Sequence, residues 1–128
     1  MATVEIFCPV NPSKDPDKVR AAIESIFPDA ELEQIDSGFR GTATLDHFAK
    51  AIRRQMILDA VRGVMLSNVR GNSTRMSLNK QVATVGKVSF TDRRPVLGAI
   101  EVIVKDDDIE ALIDRVAPMT VDGEEVKP

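Results

Sequence analysis

The sequence predicts an α+β domain, a two-layer sandwich with helices on one face of a largely antiparallel mixed sheet. Three observations lead there. Segments of strand period and helical period follow in the order β-α-β-β-α-α-β-(short α)-β-β-α. Adjacent strands are close enough to form hairpins, and neither an internal repeat nor a long linker divides the chain. At 128 residues and 43% hydrophobic content, one core suffices to remove roughly two thirds of the unfolded surface from water. A single domain over 1–121 follows, with 122–128 as a mobile C-terminal tail.

The elements can be justified in turn. Val4, Ile6 and Cys8 alternate with Glu5 and Phe7, which predicts a strand over 3–9 closed by Pro9 and Pro12. Asp15 before Pro16 supplies an N-cap and a proline at the first helical position. Val19, Ala22, Ile23 and Ile26 then repeat at helical spacing, so helix one runs to Phe27 and stops at Pro28. Strands over 31–35 and 39–44 form a hairpin about a Ser37-Gly38 turn.

From Asp46 to Leu66 the composition is helical, but the apolar face moves. Phe48, Ala49, Ile52 and Met56 share one side, with Lys50, Arg53 and Arg54 opposite; from Ile57 onward the apolar side becomes Ile57, Val61 and Val64. A phase jump of that size predicts a break near Gln55.

Residues 70–75 form a loop, in which Gly71 can take positive φ and Asn72 and Ser73 can bond their own backbone. A short strand over 75–78, one or two helical turns over 79–85 ending at Gly86, and a strand over 87–90 come next. A polar turn over 92–95 leads into the clearest strand, 97–105, where Ile100, Val102 and Val104 alternate with Glu101 and Ile103. Asp106 to Asp108 cap a last helix carrying Ile109, Leu112, Ile113 and Val116, which Pro118 ends.

Charge is distributed unevenly along this frame. Between Arg40 and Arg94 stand eleven basic residues and three acidic ones, while the flanks carry six bases and seventeen acids, so a net charge of −3 hides a basic centre. Such a region gathers polyanions by counterion release and steering. Nucleic acid is therefore the first partner implied. With five Phe and no Trp or Tyr, aromatic platforms for stacking bases are scarce, which favours recognition through phosphates and shape.

The densest candidate is the stretch containing Arg53, Arg54, Arg62, Arg70, Arg75, Lys80 and Lys87. Guanidinium forks suit phosphate oxygens, and the interleaved Asn72, Ser73, Thr74, Asn79 and Gln81 would complete such contacts. This reading requires cations distant in sequence to converge on one solvent-facing patch; the alternative is a solvated helix face beside an ordinary turn. Arg93-Arg94 and Lys50 are peripheral candidates at most.

Catalytic chemistry has little to work with. His47 is the sole histidine, Cys8 the sole cysteine, and no clustered ligands, dinucleotide fingerprint, Walker loop or nucleophile elbow occur. Asp106-Asp107-Asp108 is explained by helix capping. No disulfide, metal site or cofactor is expected, and the protein reads as non-catalytic. The N-terminus lacks a secretory pattern and no run approaches a membrane span, so a cytoplasmic location is expected and the Asn72-Ser73-Thr74 sequon is not read as a glycosylation site.

Several segments carry a resemblance: Arg53-Arg54-Gln55, Ile57-Leu58-Asp59-Ala60, Gly71-Asn72-Ser73-Thr74, Leu78-Asn79-Lys80-Gln81, Gly86-Lys87-Val88 and Leu97-Gly98-Ala99-Ile100. In this order and spacing the chain resembles a small archaeal family of predicted RNA-binding proteins associated with the exosome. The likeness includes Phe27-Pro28-Asp29-Ala30 and Ala117-Pro118. It implies a two-layer α+β fold compared with that of the ribosomal protein that binds 5S RNA, and RNA and exosome subunits as partners. The expectation is an RNA-binding accessory protein that contacts the RNA backbone. Its rival is a protein-interaction subunit or homodimeric scaffold that makes no direct RNA contact.

Overall fold

A computed structural model of the chain describes residues 3–10, 15–91, 99–121 and 124–125. Its elements are β1 (Thr3–Pro9), α1 (Pro16–Ile26), β2 (Glu31–Ile35), β3 (Gly38–Ala43), α2 (Asp46–Arg54), α3 (Leu58–Ser67), β4 (Ser73–Leu78), α4 (Lys80–Ala83), β5 (Ile100–Lys105) and α5 (Ile109–Val116), followed by the two-residue strands β6 (Thr120–Val121) and β7 (Glu124–Glu125). The five long strands form one sheet in the order β2-β3-β1-β5-β4, and every pairing in it is antiparallel.

Strand alternation decides which side is covered. Val4, Ile6 and Cys8 of β1, Ile100, Val102 and Val104 of β5, and Thr74, Met76 and Leu78 of β4 are buried against the helices. Their neighbours Glu5, Phe7, Ile103, Arg75 and Ser77 face away. The helices supply the other half of the core through Val19, Ile23 and Ile26, Phe48 and Ile52, Val61 and Met65, and Leu112 and Ile113. Phe27 and Phe48 stack with ring centroids 5.9 Å apart.

The caps at Asp15 and Asp108 follow the sequence, and the structure adds one at Asn79. The Asp15 carboxylate accepts from Asp17 N–H with Pro16 at the helix start, Asn79 accepts from Gln81 and Val82 N–H, and Asp108 accepts from Ala111 N–H. The break in the central helix is also present. α2 ends at Arg54, Met56 takes φ 59°, and α3 begins at Leu58.

Several expectations change: β4 starts at Ser73, inside the loop expected over 70–75, and two further differences have a visible cause. The hairpin turn is Asp36-Ser37, with Gly38 already the first residue of β3, paired between Pro9 and Ile35. A Cβ at Gly38 would lie 2.1 Å from the Cys8 carbonyl oxygen, so close strand approach rather than turn geometry demands the glycine. The strand expected over 87–90 is only an isolated Leu78–Phe90 bridge. The reason lies in Val88, whose N–H and carbonyl are both held by the Gln55 side chain instead of a neighbouring strand. The turn over 92–95 and the first two residues of the strand expected from 97 lie outside the described residues. So does most of the tail, of which Glu124–Glu125 pairs with Thr120–Val121.

Candidate nucleic-acid interface

The seven cations singled out from the sequence divide into two groups. Arg53, on α2, donates from Nη1 to Val116 O and from Nη2 to Arg115 O, both at 3.2 Å, and to Ala49 O on its own helix. Arg62, on α3, donates to Ala117 O at 3.1 Å and pairs with Asp114 Oδ1 at 2.7 Å. Both guanidinium groups thus sit on the C-terminal carbonyls of α5, where helix-end partial negative charge favours a cation. Lys80 Nζ donates to Pro9 O at 3.2 Å and is half-buried. These three hold the fold together.

Arg54, Arg75 and Lys87 are exposed and make no side-chain hydrogen bond or ion pair among the described residues. Arg70 is exposed too; its one bond, from Nη1 to Val69 O, leaves most of its donors in solvent. Arg54 is the last residue of α2, and Lys87 precedes Val88, whose backbone the Gln55 side chain holds. Arg75 lies on β4, the edge strand, and Arg70 on the turn that leads into it. From residue 73 to residue 78 that edge runs ~17 Å.

The polar residues divide likewise. Thr74 is 1% exposed, with its hydroxyl on Met65 O at 2.5 Å, so it is out of reach of any ligand. Ser73 closes the turn by donating to Arg70 O, and Asn79 is the α4 cap. Asn72 and Gln81 are exposed.

Beside the outer edge of β4 lies a groove of about 430 Å³, lined by Gly63, Val64, Ser67 and Asn68 of α3 and its C-terminal turn, Arg75 and Ser77 of β4, and Phe90 and Thr91. Asn68 Nδ2 donates to Arg75 O at 3.0 Å and Thr91 N–H donates to Ser77 O at 3.0 Å, so α3 and the 88–91 segment are both tied to the strand. Sequence reasoning does not single out Ser67, Ser77, Phe90 or Thr91. The one local signal is Gly63, a glycine inside a helical run.

The open face of the sheet has a different character. It carries Glu5, Glu31, Glu33 and Glu101 around Phe7, with Arg40 and Lys105 paired to Glu33 and Glu5 at 3.7 Å each. The four carboxylates, two of them paired, make the part of the sheet around Phe7 a poorer polyanion surface than the β4 edge, where Arg75 stands on the same face.

Nucleophilic or metal chemistry has little footing near either surface. Burial pushes the Cys8 thiol up to about 11, against a smaller lowering by Lys80, with Glu101 adding to the rise. Among the described residues no group of three or more His, Cys, Asp or Glu is placed to hold a metal ion. Among them, too, no helix is long and apolar enough to cross a membrane.

A family model described as RNA binding matches residues 3–106 of the chain. A UPF0200/UPF0201 protein of Archaeoglobus fulgidus is 38% identical over 128 residues, covering 97% of this chain, although the chain spans only 40% of that relative's length. The UPF0201 protein of Sulfurisphaera tokodaii is 36% identical, with 96% of this chain and 92% of the relative covered. The crystal structure of a UPF0201 protein superimposes with a TM-score of 0.85 at 36% identity, covering 98% of this chain and all (100%) of the other. The UPF0201 protein of Methanococcus jannaschii does so with a TM-score of 0.85 at 32% identity, covering 99% and 100%. The chain belongs to the family described as RNA binding, alongside the archaeal UPF0201 proteins.

Proposed function

We propose that this protein is a non-catalytic RNA-binding accessory protein that holds RNA by its sugar-phosphate backbone along the outer edge of β4. Arg54, Arg70, Arg75 and Lys87 neutralise phosphates, and the groove between α3 and β4 seats the chain. One observation carries the reading. In a chain of an RNA-binding family, four of the seven singled-out cations, Arg54, Arg70, Arg75 and Lys87, are exposed and not committed to the fold, with Arg75 on the edge strand and Arg70 on the turn before it. Arg53, Arg62 and Lys80 act indirectly, by holding α5 and the end of β1 in place.

The family resemblance adds exosome subunits as protein partners, a cytoplasmic setting, and a likeness to the fold of the ribosomal protein that binds 5S RNA. An accessory protein of this kind would bring RNA to a larger assembly and need no chemistry of its own.

Fluorescence anisotropy with a labelled single-stranded RNA tests the backbone reading. Four neutralised phosphates give a log–log salt slope of about −3 for a single strand. The combined Arg54→Ala, Arg75→Ala, Lys87→Ala variant should lose most of the affinity. Binding that ignores salt, or survives that triple replacement, rules the reading out.

A second reading has its own observation. Phe7 is 37% exposed on the open sheet face and lies near Ile103, amid paired charges of both signs, in a concavity of about 660 Å³. An apolar centre with a polar rim suits a protein partner or a second copy of the chain. Sedimentation equilibrium of the wild type and of Phe7→Asp distinguishes a homodimer built on this face from a monomer.

A further inference from the structure

Helix α3 contains a glycine that the fold does not require. Gly63 lies within Leu58–Ser67, where glycine is less favourable than any residue except proline. Its φ is not positive, and a Cβ built on it meets nothing within 4 Å. Neither backbone conformation nor packing accounts for its presence. Gly63 is exposed and forms part of the wall of the groove of about 430 Å³ between α3 and the β4 edge.

We propose that this niche receives one unpaired nucleotide of a bound RNA, with its base against Phe90 and a phosphate on Arg75. The inference rests on the RNA-binding reading and gives it a subsite. The volume falls within the range of roughly 300–1,000 Å³ usual for small-molecule sites. Phe90 is the one aromatic residue among the described residues of the wall, and a base stacks on an aromatic ring whatever its identity. The Arg75 guanidinium makes no bond to another described residue, so its planar fork is available to a phosphate.

The remaining wall has its hydrogen bonds arranged to present acceptors. Ser67 Oγ donates to Gly63 O at 2.7 Å and Asn68 Nδ2 donates to Arg75 O, which fixes both side chains and leaves Ser67 Oγ and Asn68 Oδ1 able to accept from a base. Thr91 Oγ1 is buried without a hydrogen-bond partner among the described residues, so rotating that hydroxyl toward a ligand breaks no bond to them. Ser77 Oγ donates to the Glu101 carboxylate at 2.8 and 3.0 Å. Negative charge there turns a phosphate away and leaves Arg75 as its anchor.

The test compares a labelled single-stranded oligoribonucleotide with the same strand made abasic, using the full chain with Gly63→Ala or Gly63→Gln. Gly63→Ala should raise the melting temperature, because alanine restores helix propensity in open space. Gly63→Gln should fill the niche and weaken the intact strand about tenfold, the scale of one lost stacking contact, while binding the abasic strand as the wild type does. In the wild type, amide shifts at Ser67, Phe90 and Thr91 should respond to the intact strand and not to the abasic one, a readout that needs no substitution. Should Gly63→Gln bind the intact strand at full affinity, or those amides ignore the base, the subsite is refuted while backbone binding stands. A wild type that binds neither strand removes both.

Discussion

Gln55 binds Val88 as one strand binds another: Val88 N–H donates to Oε1 at 2.6 Å, and the Val88 carbonyl accepts from Nε2 at 3.0 Å. One side-chain amide takes both backbone groups of Val88 and closes the corner where α2 gives way to α3, while the residues after it bond to the end of β4 only through Ser89 O and Thr91 N–H.

Replacing Gln55 by Ala should therefore cost about 1–3 kcal/mol, since two half-buried backbone groups lose their partner at once. Gln55→Glu keeps the acceptor for Val88 N–H but sets a carboxylate oxygen against the Val88 carbonyl, and it should also destabilise. Urea denaturation measures both. A Gln55→Ala protein with an unchanged midpoint contradicts the role assigned to this amide.

The two groups of arginines should separate cleanly. Arg62→Ala removes a charged bond to Asp114 and another to Ala117 O from a side chain that is 19% exposed, and it should lower stability by about 1–3 kcal/mol. Arg54→Ala should leave the melting temperature within about 1 °C, as is usual for an exposed residue without partners, yet weaken RNA binding. Thermal melts and anisotropy on the same two proteins decide; the opposite pattern would show that the division is misplaced.

Gly38→Ala should be among the most damaging single changes. Its Cβ would fall 2.1 Å from Cys8 O and 2.7 Å from Pro9 Cα, both backbone atoms of the adjacent strand, so β1 and β3 must part. A loss of about 3 kcal/mol is expected, with poor soluble yield. Near-wild-type stability would mean that the strands open there without cost.

Cys8 makes stability depend on alkaline pH. Its thiol titrates at 9.0 when unperturbed and at about 11 in the folded protein, raised chiefly by burial. The folded state keeps its proton where the unfolded chain has lost it, so this contribution is complete below pH 9.0 and is lost as pH rises toward 11. Urea midpoints should fall across that window, and less steeply in Cys8→Ala. At about pH 8 a thiol reagent should leave the native protein unmodified and react on unfolding; rapid native labelling would disprove the burial.

Much of the fold was legible locally. Asp15-Pro16 and Asp108 announce helix starts because an N-cap is a contact between near neighbours, and Val4, Ile6 and Cys8 announce a buried strand face because side chains alternate every residue. The shift of apolar phase after Met56 located the break between α2 and α3, since a continuous helix keeps one face. The strand expected at 87–90 was not legible. Its pattern is strand-like, but a glutamine 33 residues away in sequence takes both backbone groups of Val88.

The sequence by itself determined the kinds of element, their order, the basic centre and the RNA-binding family. Only the tertiary structure decided which cations remain available to a ligand. Arg53 reaches carbonyls 62 and 63 positions away, Arg62 an acid 52 positions away, and Lys80 a carbonyl 71 positions away. Charge is a property of a residue and can be counted along the chain. Whether that charge faces water depends on which helix ends and strand ends the fold brings beside it.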